Sequence, residues 1–209
     1  MNKVWYLSYG SNLSRERFLC YIKGTQYKDN ARCEQGCRDN RLPMDDRTII
    51  IQNELFFSFK IPQWQNMGVA FIRKQKSNTA RTFCRMYLLT QEQFEDVVKQ
   101  ENDVDVNQNI EIDYDRLNEV GHISLFEDSY YGSLLKIDEV DSLPVYTFTL
   151  NHEPVEYMQP SREYLRSIIN GIKNSHSPSC GEIAEAFIRL KGIDGHYTYQ
   201  ELLSFVESI

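Results

Sequence analysis

The chain has 209 residues, 41% hydrophobic and 25% charged, with 30 acidic against 23 basic side chains and a formal net charge of −7. This fits one ordinary globular domain with a small appendage, and no window approaches the roughly 18–20 uninterrupted apolar residues of a membrane-spanning helix. The acidic balance argues against a surface built to neutralise a phosphate backbone, so neither a membrane nor a nucleic acid is expected as a partner.

In chain order, Val4 to Tyr9 reads as a short buried strand, stopped by Gly10-Ser11-Asn12, residues suited to a tight turn. The opening apolar run is far shorter than a secretory signal and no small-residue cleavage site follows it, so the mature chain is expected to begin here. A helix follows over about Ser14 to Ile22. Residues 24–47 are polar and without sustained period, which predicts a long connection with one edge strand at most. Thr48–Ile51, Leu55–Phe59, Val69–Ile72 and Thr82–Leu89 are strand-like by their β-branched and aromatic content. Thr90-Gln91-Glu92-Gln93 fits a capping box, and Phe94, Val97, Val98 and residue 101 fall at helical spacing, which predicts a helix over 91–101. Further strands are expected at Asn109–Ile112, Tyr130–Ile137 and Val145–Leu150. The pattern then turns helical: Ser161 to Lys173, and two runs opened by Ser179-x-x-Glu182 and Thr198-x-x-Glu201. Gly192 and Gly195 punctuate the last two.

The order lacks the regular strand–helix alternation of a doubly wound sheet. The expected architecture is α+β, a mixed β-barrel with flanking helices over residues 1–174 and a C-terminal helical extension, 175–209, packed on it. Five cysteines (Cys20, Cys33, Cys37, Cys84 and Cys180) form an odd, irregularly spaced set in a chain long enough to fold without staples, which predicts a reducing, cytoplasmic setting. Cys33-x3-Cys37 resembles half a zinc site, but no second Cys/His pair stands at ligand spacing, so no metal is expected.

Three stretches could carry chemistry. Tyr9-Gly10-Ser11-Asn12-Leu13 lies where a strand gives way to a helix, so freed N–H groups and the helix end can meet an anionic or carbonyl oxygen; an ordinary capped turn explains the same residues. Glu101 continues the Phe94, Val97, Val98 stripe at a slot aimed toward the core, whereas Glu92, Glu95 and Asp96 can face water. A carboxyl there gains proton affinity from burial and suits general acid/base work; a frayed helix end that lets Glu101 reach solvent is the competing reading. In Met158-Gln159-Pro160-Ser161-Arg162-Glu163-Tyr164, Ser161 is a natural helix cap and the Tyr164 hydroxyl can reach a site. A Gly-x-Ser-x-Gly elbow, a P-loop and a dinucleotide fingerprint are absent. His122, His152, His176 and His196 are scattered, and His176 with Cys180 makes a poor nucleophile pair.

Taken together, Trp5 to Leu13, Met67-Gly68-Val69-Ala70, Cys84 to Leu89 with the capped helix running to Val98-Lys99-Gln100-Glu101, and Pro160 to Tyr164 resemble, in order and spacing over residues 4–173, the gamma-glutamylcyclotransferase-like family. The resemblance implies a small mixed β-barrel with flanking helices that converts γ-glutamyl compounds to 5-oxoproline and a free amine, without metal or cofactor. It implies Glu101 as the acid/base, the backbone of Tyr9, Gly10, Ser11, Asn12 and Leu13 together with Gly68 as the hold on the γ-glutamyl moiety, and Tyr164 as a site-lining contact. In the family the glutamate is commonly followed by glycine, here by Asn102, and the 24–47 stretch is longer and more polar. Two other readings stay open: a non-catalytic small-molecule-binding module that keeps the pocket, and an interaction module using the Ile183, Ala184, Phe187, Ile188, Leu190 stripe. The leaving amine and the oligomeric state are not set by the sequence.

Overall fold

A computed structural model describes residues 2–27 and 33–209; positions 28–32 of the polar 24–47 connection lie outside the described residues. The strands are β1 (Lys3–Ser8), β2 (Asp45–Ile51), β3 (Asn53–Ile61), β4 (Met67–Lys76), β5 (Thr82–Thr90), β6 (His122–Ser124), β7 (Ser133–Val140) and β8 (Leu143–Thr149). The α-helices are α1 (Arg15–Lys23), α2 (Gln91–Glu101), α3 (Tyr114–Val120), α4 (Arg162–His176), α5 (Cys180–Phe187) and α6 (Tyr199–Glu207). Six strands form one mixed sheet in the order β2-β5-β1-β8-β7-β6, and β3 and β4 form a second, two-stranded sheet. The α+β class holds, but the described ladders do not close into the expected barrel, because β2 and β6 remain as open edges.

The chain divides into two compact units. One holds the described residues of Met1–Ser8, Glu16–Arg47 and Arg85–Glu153; the other holds Tyr9–Arg15, Thr48–Cys84 and Pro154–Ile209. In the first, β1 runs antiparallel to β5, with Lys3 opposite Thr90 and Ser8 opposite Arg85, and parallel to β8, with Trp5 opposite Val145. A strand with a neighbour on each side and both faces covered reads as an unbroken apolar run, and residues 4–8 are all buried accordingly. The core centres on Tyr6, whose ring lies 5.3 Å from Phe18, 5.5 Å from Phe148 and 6.2 Å from Phe94. Each such pair adds about 0.5–1.5 kcal/mol beyond area burial. α1 contributes Phe18, Tyr21 and Ile22, spaced to share one helix face.

In the second unit Phe57 of β3 stands opposite Ala70 of β4, while Leu165, Ile168, Ile169 and Ile172 of α4 are buried. Both late capping boxes form as expected, at Ser179/Glu182 and Thr198/Glu201. Ile183, Ala184 and Phe187 are buried and Ile188 and Leu190 half-buried, so the apolar stripe of α5 is a packing face within the unit. Gly192, at φ 91°, is the one residue type that fits its place, since a Cβ there would lie 2.7 Å from the Met158 carbonyl oxygen. No helix among the described residues is long and apolar enough to cross a membrane.

Two differences from the sequence reading concern residues 109–124. Asn109–Ile112 forms no strand. Instead, Asp113 caps α3 by accepting the Arg116 N–H, and Gly121 ends it in the left-handed conformation at φ 82°, after which β6 pairs with β7.

Candidate active site

β1 ends at Ser8 and the chain turns at once. Gly10 (φ −109°, ψ −145°) leads into a single 3-10 turn over Ser11–Leu13. The turn is closed by Leu13 N–H to the Gly10 carbonyl at 3.0 Å and Ser14 N–H to the Ser11 carbonyl at 3.1 Å. Asn12 and Leu13 are buried and Gly10 and Ser11 half-buried, so the Leu13 amide serves the turn itself and the accessible polar part is its first half.

Tyr164 reaches this turn from α4. Ser161 caps that helix, its Oγ accepting the Tyr164 N–H at 3.1 Å, which fixes where the tyrosine side chain leaves the backbone. The ring is buried beside Trp64 (4.6 Å) and Phe57 (6.4 Å, edge-on), and its hydroxyl accepts the Ala70 N–H at 3.1 Å. A Cβ built on Gly10 would lie 3.2 Å from the Tyr164 oxygen and 3.8 Å from the Ala70 Cβ. Residues marked by three separate stretches of sequence therefore meet: the bare Cα of Gly10, the hydroxyl of Tyr164 and the amide of Ala70. Gly68 serves backbone approach, since its N–H donates to the Gln159 carbonyl at 2.9 Å and a Cβ there would fall 2.2 Å from the Met158 carbonyl oxygen. Next to it, an open cleft of about 530 Å³ is bordered by Met67, Gln159, Pro160, Arg162 and His196.

Glu101 is the last residue of α2. The Thr90 box forms in both directions, Gln93 N–H to Thr90 Oγ1 at 3.2 Å and Thr90 N–H to Gln93 Oε1 at 3.1 Å, and Phe94, Val97 and Val98 are fully buried. Glu101 is half-buried. Its end of the helix is clamped: the Asn102 amide donates to the Val98 carbonyl at 2.7 Å and the Tyr131 carbonyl at 3.3 Å, and the Ser129 hydroxyl donates to Asn102 Oδ1. Asn102 keeps a negative φ of −109°, and Asp103 takes the left-handed step at φ 56°. Asn102 therefore needs no glycine-like backbone freedom.

Sequence reasoning missed what surrounds this helix end. Asp96, expected to face water, is fully buried, held by Arg38 through N–H at 2.9 Å and Nε at 3.0 Å and by Lys99 Nζ at 3.1 Å. Gln100 ties α2 to α1 through the Tyr21 carbonyl (3.1 Å) and accepts the Gly36 N–H at 3.0 Å. Burial drives the Tyr21 phenol well above its ordinary range, and the negative charge of Glu101 adds to this ahead of the smaller effects of Arg17, Glu34 and Tyr6. Local sequence carried no signal for these burials, because each depends on a partner far along the chain.

Other chemistry finds less support. Among the described residues, no three His, Cys, Asp or Glu side chains gather as metal ligands. Cys33 is exposed while Cys20, Cys37 and Cys84 are buried, and burial pushes the Cys37 and Cys84 thiols up, Asp96 adding to the effect at Cys37, which disfavours the reactive thiolate at those two positions. The His176 ring contacts Ser175 Oγ at 2.9 Å and the Ile49 carbonyl at 3.3 Å, contacts that suit a helix end.

No family model matches the chain. It is similar to histone deacetylase 5 of Arabidopsis thaliana, 31% identical over 199 residues. That match takes in 88% of this chain and 30% of the plant protein, so the chain spans less than a third of that relative's length. Among solved structures it is similar to a gamma-glutamyl cyclotransferase, with a TM-score of 0.51 and 14% identity over the full length of both chains. It is also similar to the Homo sapiens protein loc79017, with a TM-score of 0.54 and 13% identity over 99% of each chain. The chain has the gamma-glutamyl cyclotransferase-like fold.

Proposed function

We propose that the chain is a cyclotransferase converting a γ-glutamyl amine or peptide to 5-oxoproline and a free amine. One observation carries the reading: within a gamma-glutamyl cyclotransferase-like fold, the Tyr9–Leu13 turn ends the first strand with the Tyr164 hydroxyl set against Gly10.

The chemistry needs few parts. The substrate's α-amine attacks its own γ-carbonyl carbon, the C–N bond to the leaving amine breaks, and no water is consumed. That α-amine is mostly protonated near neutrality, so a base must first take its proton. Glu101 is assigned this task and then returns the proton to the departing nitrogen, so one carboxyl serves both steps. Because nucleophile and electrophile share one molecule, holding the substrate folded contributes on the order of 7–11 kcal/mol to lowering the barrier. Main-chain N–H groups at the head of the Gly10–Leu13 turn are assigned to the oxyanion, each worth about 3–4 kcal/mol. Tyr164 holds the turn's partner strand through Ala70, and the cleft beside Met67 and Pro160 gives room for a leaving amine of peptide size.

The test is incubation with a panel of γ-glutamyl amino acids, amines and peptides, reading 5-oxoproline by mass spectrometry. Glu101→Gln is expected to fold and to lose turnover by several orders of magnitude. A folded Gln variant with wild-type turnover removes Glu101 from the mechanism, and a wild-type protein that binds donors without forming product makes the chain a binding module.

A further inference from the structure

The open cleft beside Gly68 carries chemistry that ring closure leaves unused. Its border includes Arg162, Gln159, His196 and Tyr197 together with two carboxylates, Glu163 and Glu201. The carboxylates are already engaged: Glu163 Oε2 accepts the Gln65 amide N–H at 2.9 Å, and Glu201 Oε2 accepts the Thr198 N–H and hydroxyl, each at 2.8 Å. The donors differ. Among the described residues, the Arg162 guanidinium, the Gln159 amide, the His196 ring and the Tyr197 hydroxyl have no hydrogen-bond or ion-pair partner. Arg162 is nonetheless held in place, its guanidinium carbon 4.6 Å from the centre of the buried Phe205 ring of α6. A ring engages the face of a guanidinium and leaves the N–H fork at its edge to an acceptor, and a carboxylate matches that fork with two parallel hydrogen bonds.

β4 links this cleft to the turn. Met67 borders the cleft, Gly68 bridges to Pro160, and Ala70 donates its N–H to the Tyr164 hydroxyl that stands against Gly10. Met67 to Ala70 is three steps of a strand, about 10 Å, a length that a γ-glutamyl donor of two or three residues spans. The cleft volume of about 530 Å³ lies within the roughly 300–1,000 Å³ of small-molecule sites. One unengaged cation beside two carboxylates suits a ligand with charges of both signs, and a released amino acid or peptide is one, carrying its new ammonium and its own carboxylate. We propose that Arg162 is a specificity-determining residue that binds the carboxylate of the leaving group, so that the donors are γ-glutamyl amino acids and short peptides rather than γ-glutamyl amines without a carboxylate. The proposal rests on the cyclotransferase reading and names the leaving amine, which that reading leaves open.

Removing the donor's terminal charge and nothing else tests this. γ-Glutamylalanine and γ-glutamylalanylglycine are each compared with their C-terminal amide, and kcat/KM for 5-oxoproline release is read by mass spectrometry. The wild type is expected to favour the acid in at least one pair by about 10–100-fold, as a charge-assisted pair of hydrogen bonds does. Arg162→Gln is expected to bring that preference close to one, and Arg162→Lys, which keeps the charge but not the fork, to retain part of it. Lost folding lowers acid and amide turnover together and leaves their ratio in place, so the ratio separates a binding role from a structural one. Thermal melts check each variant, and if Arg162→Gln does not fold, the wild-type preference and Arg162→Lys decide. An acid preference that persists undiminished in Arg162→Gln, or none in the wild type, overturns the proposal, while 5-oxoproline formation keeps the cyclotransferase reading standing. If no donor yields 5-oxoproline, that reading fails and calorimetry decides the subsite alone: acids bound more tightly than amides by the wild type but not by Arg162→Gln uphold it, and equal binding overturns it.

Discussion

Gly171 lies in the middle of α4, where an alanine favours the helix by about 1 kcal/mol. The structure opposes that gain. A Cβ at this position would sit 2.6 Å from Leu13 Cβ, 2.8 Å from Leu13 C and 2.9 Å from Ser14 N, all belonging to the turn proposed to hold substrate. Carbon atoms pack at about 3.5–4.0 Å, so helix and turn must part by roughly an ångström, and two of the three obstacles are backbone. Overpacking of this kind costs about 1–3 kcal/mol. Set against the helix gain, Gly171→Ala is expected to destabilise by about 1 kcal/mol, lowering Tm by about 2–4 °C for a chain of this size. Asn174→Ala, at an exposed position of the same helix, separates the propensity effect and is expected to leave Tm unchanged or slightly raised. Because a misplacement of about 1 Å can cost on the order of 100-fold in rate, kcat/KM for 5-oxoproline release is expected to fall far more in Gly171→Ala than its lost stability explains. A Gly171→Ala protein with a raised Tm and wild-type kcat/KM refutes the account of α4 as the backing of the turn.

Two further outcomes follow from other residues. Asn102→Ala removes the side-chain bonds to the Val98 and Tyr131 carbonyls and from Ser129. It is expected to cost about 1–3 kcal/mol in a urea titration and to lower kcat through a less fixed Glu101; unchanged stability shows the clamp to be idle. The Glu182 and Glu201 carboxyls are held below the usual carboxylate range by the backbone N–H of Ser179 and of Thr198, respectively, and then by their hydroxyls. A lowered folded value means that their contribution is present above the ordinary glutamate value of about 4.3 and lost as pH falls through the lower one. The urea midpoint is therefore expected to drop less between pH 6 and pH 3 in the Glu182→Gln/Glu201→Gln double variant than in the wild type. Equal drops refute the assignment.

Elements with a strong period and a cap were legible. α2 runs over the residues its stripe and Thr90 box predicted, and the helices after Ser161, Ser179 and Thr198 start where those hydroxyls cap them. α3 escaped because only Leu117 of its residues is buried, so no stripe shows, although Asp113 and Gly121 stood at either end as cap and stop. Asn109–Ile112 misled for the opposite reason: its alternating pattern finds no partner strand, and alternation is only half of what a strand needs. The barrel was expected from the order of elements as well as from the family resemblance, and strand order is a tertiary property that local pattern does not encode. At the candidate site, the turn and Tyr164 could be marked by type and spacing. The burial of Asp96, Arg17 and Glu34 could not, because a buried charge is decided by its partner, and Asp96 finds Arg38 58 residues away in sequence.

The placement of Glu101 at the end of α2 has an electrostatic meaning of its own. Unpaired carbonyls give a helix C-terminus a partial negative charge, which disfavours a carboxylate there by about 0.3–1 kcal/mol. A cation in the last turn can offset that, and α2 has Lys99 in the right place. Yet Lys99 is turned away, its ammonium bonded to Asp96 at 3.1 Å and the Val106 carbonyl at 2.9 Å, and it is 2% exposed. The last-turn cation of α2 is thus committed to a buried carboxylate three residues earlier. Under the proposed reaction, closing a ring and releasing an amine asks one carboxyl both to accept and to return a proton, and Glu101 is the residue assigned that task.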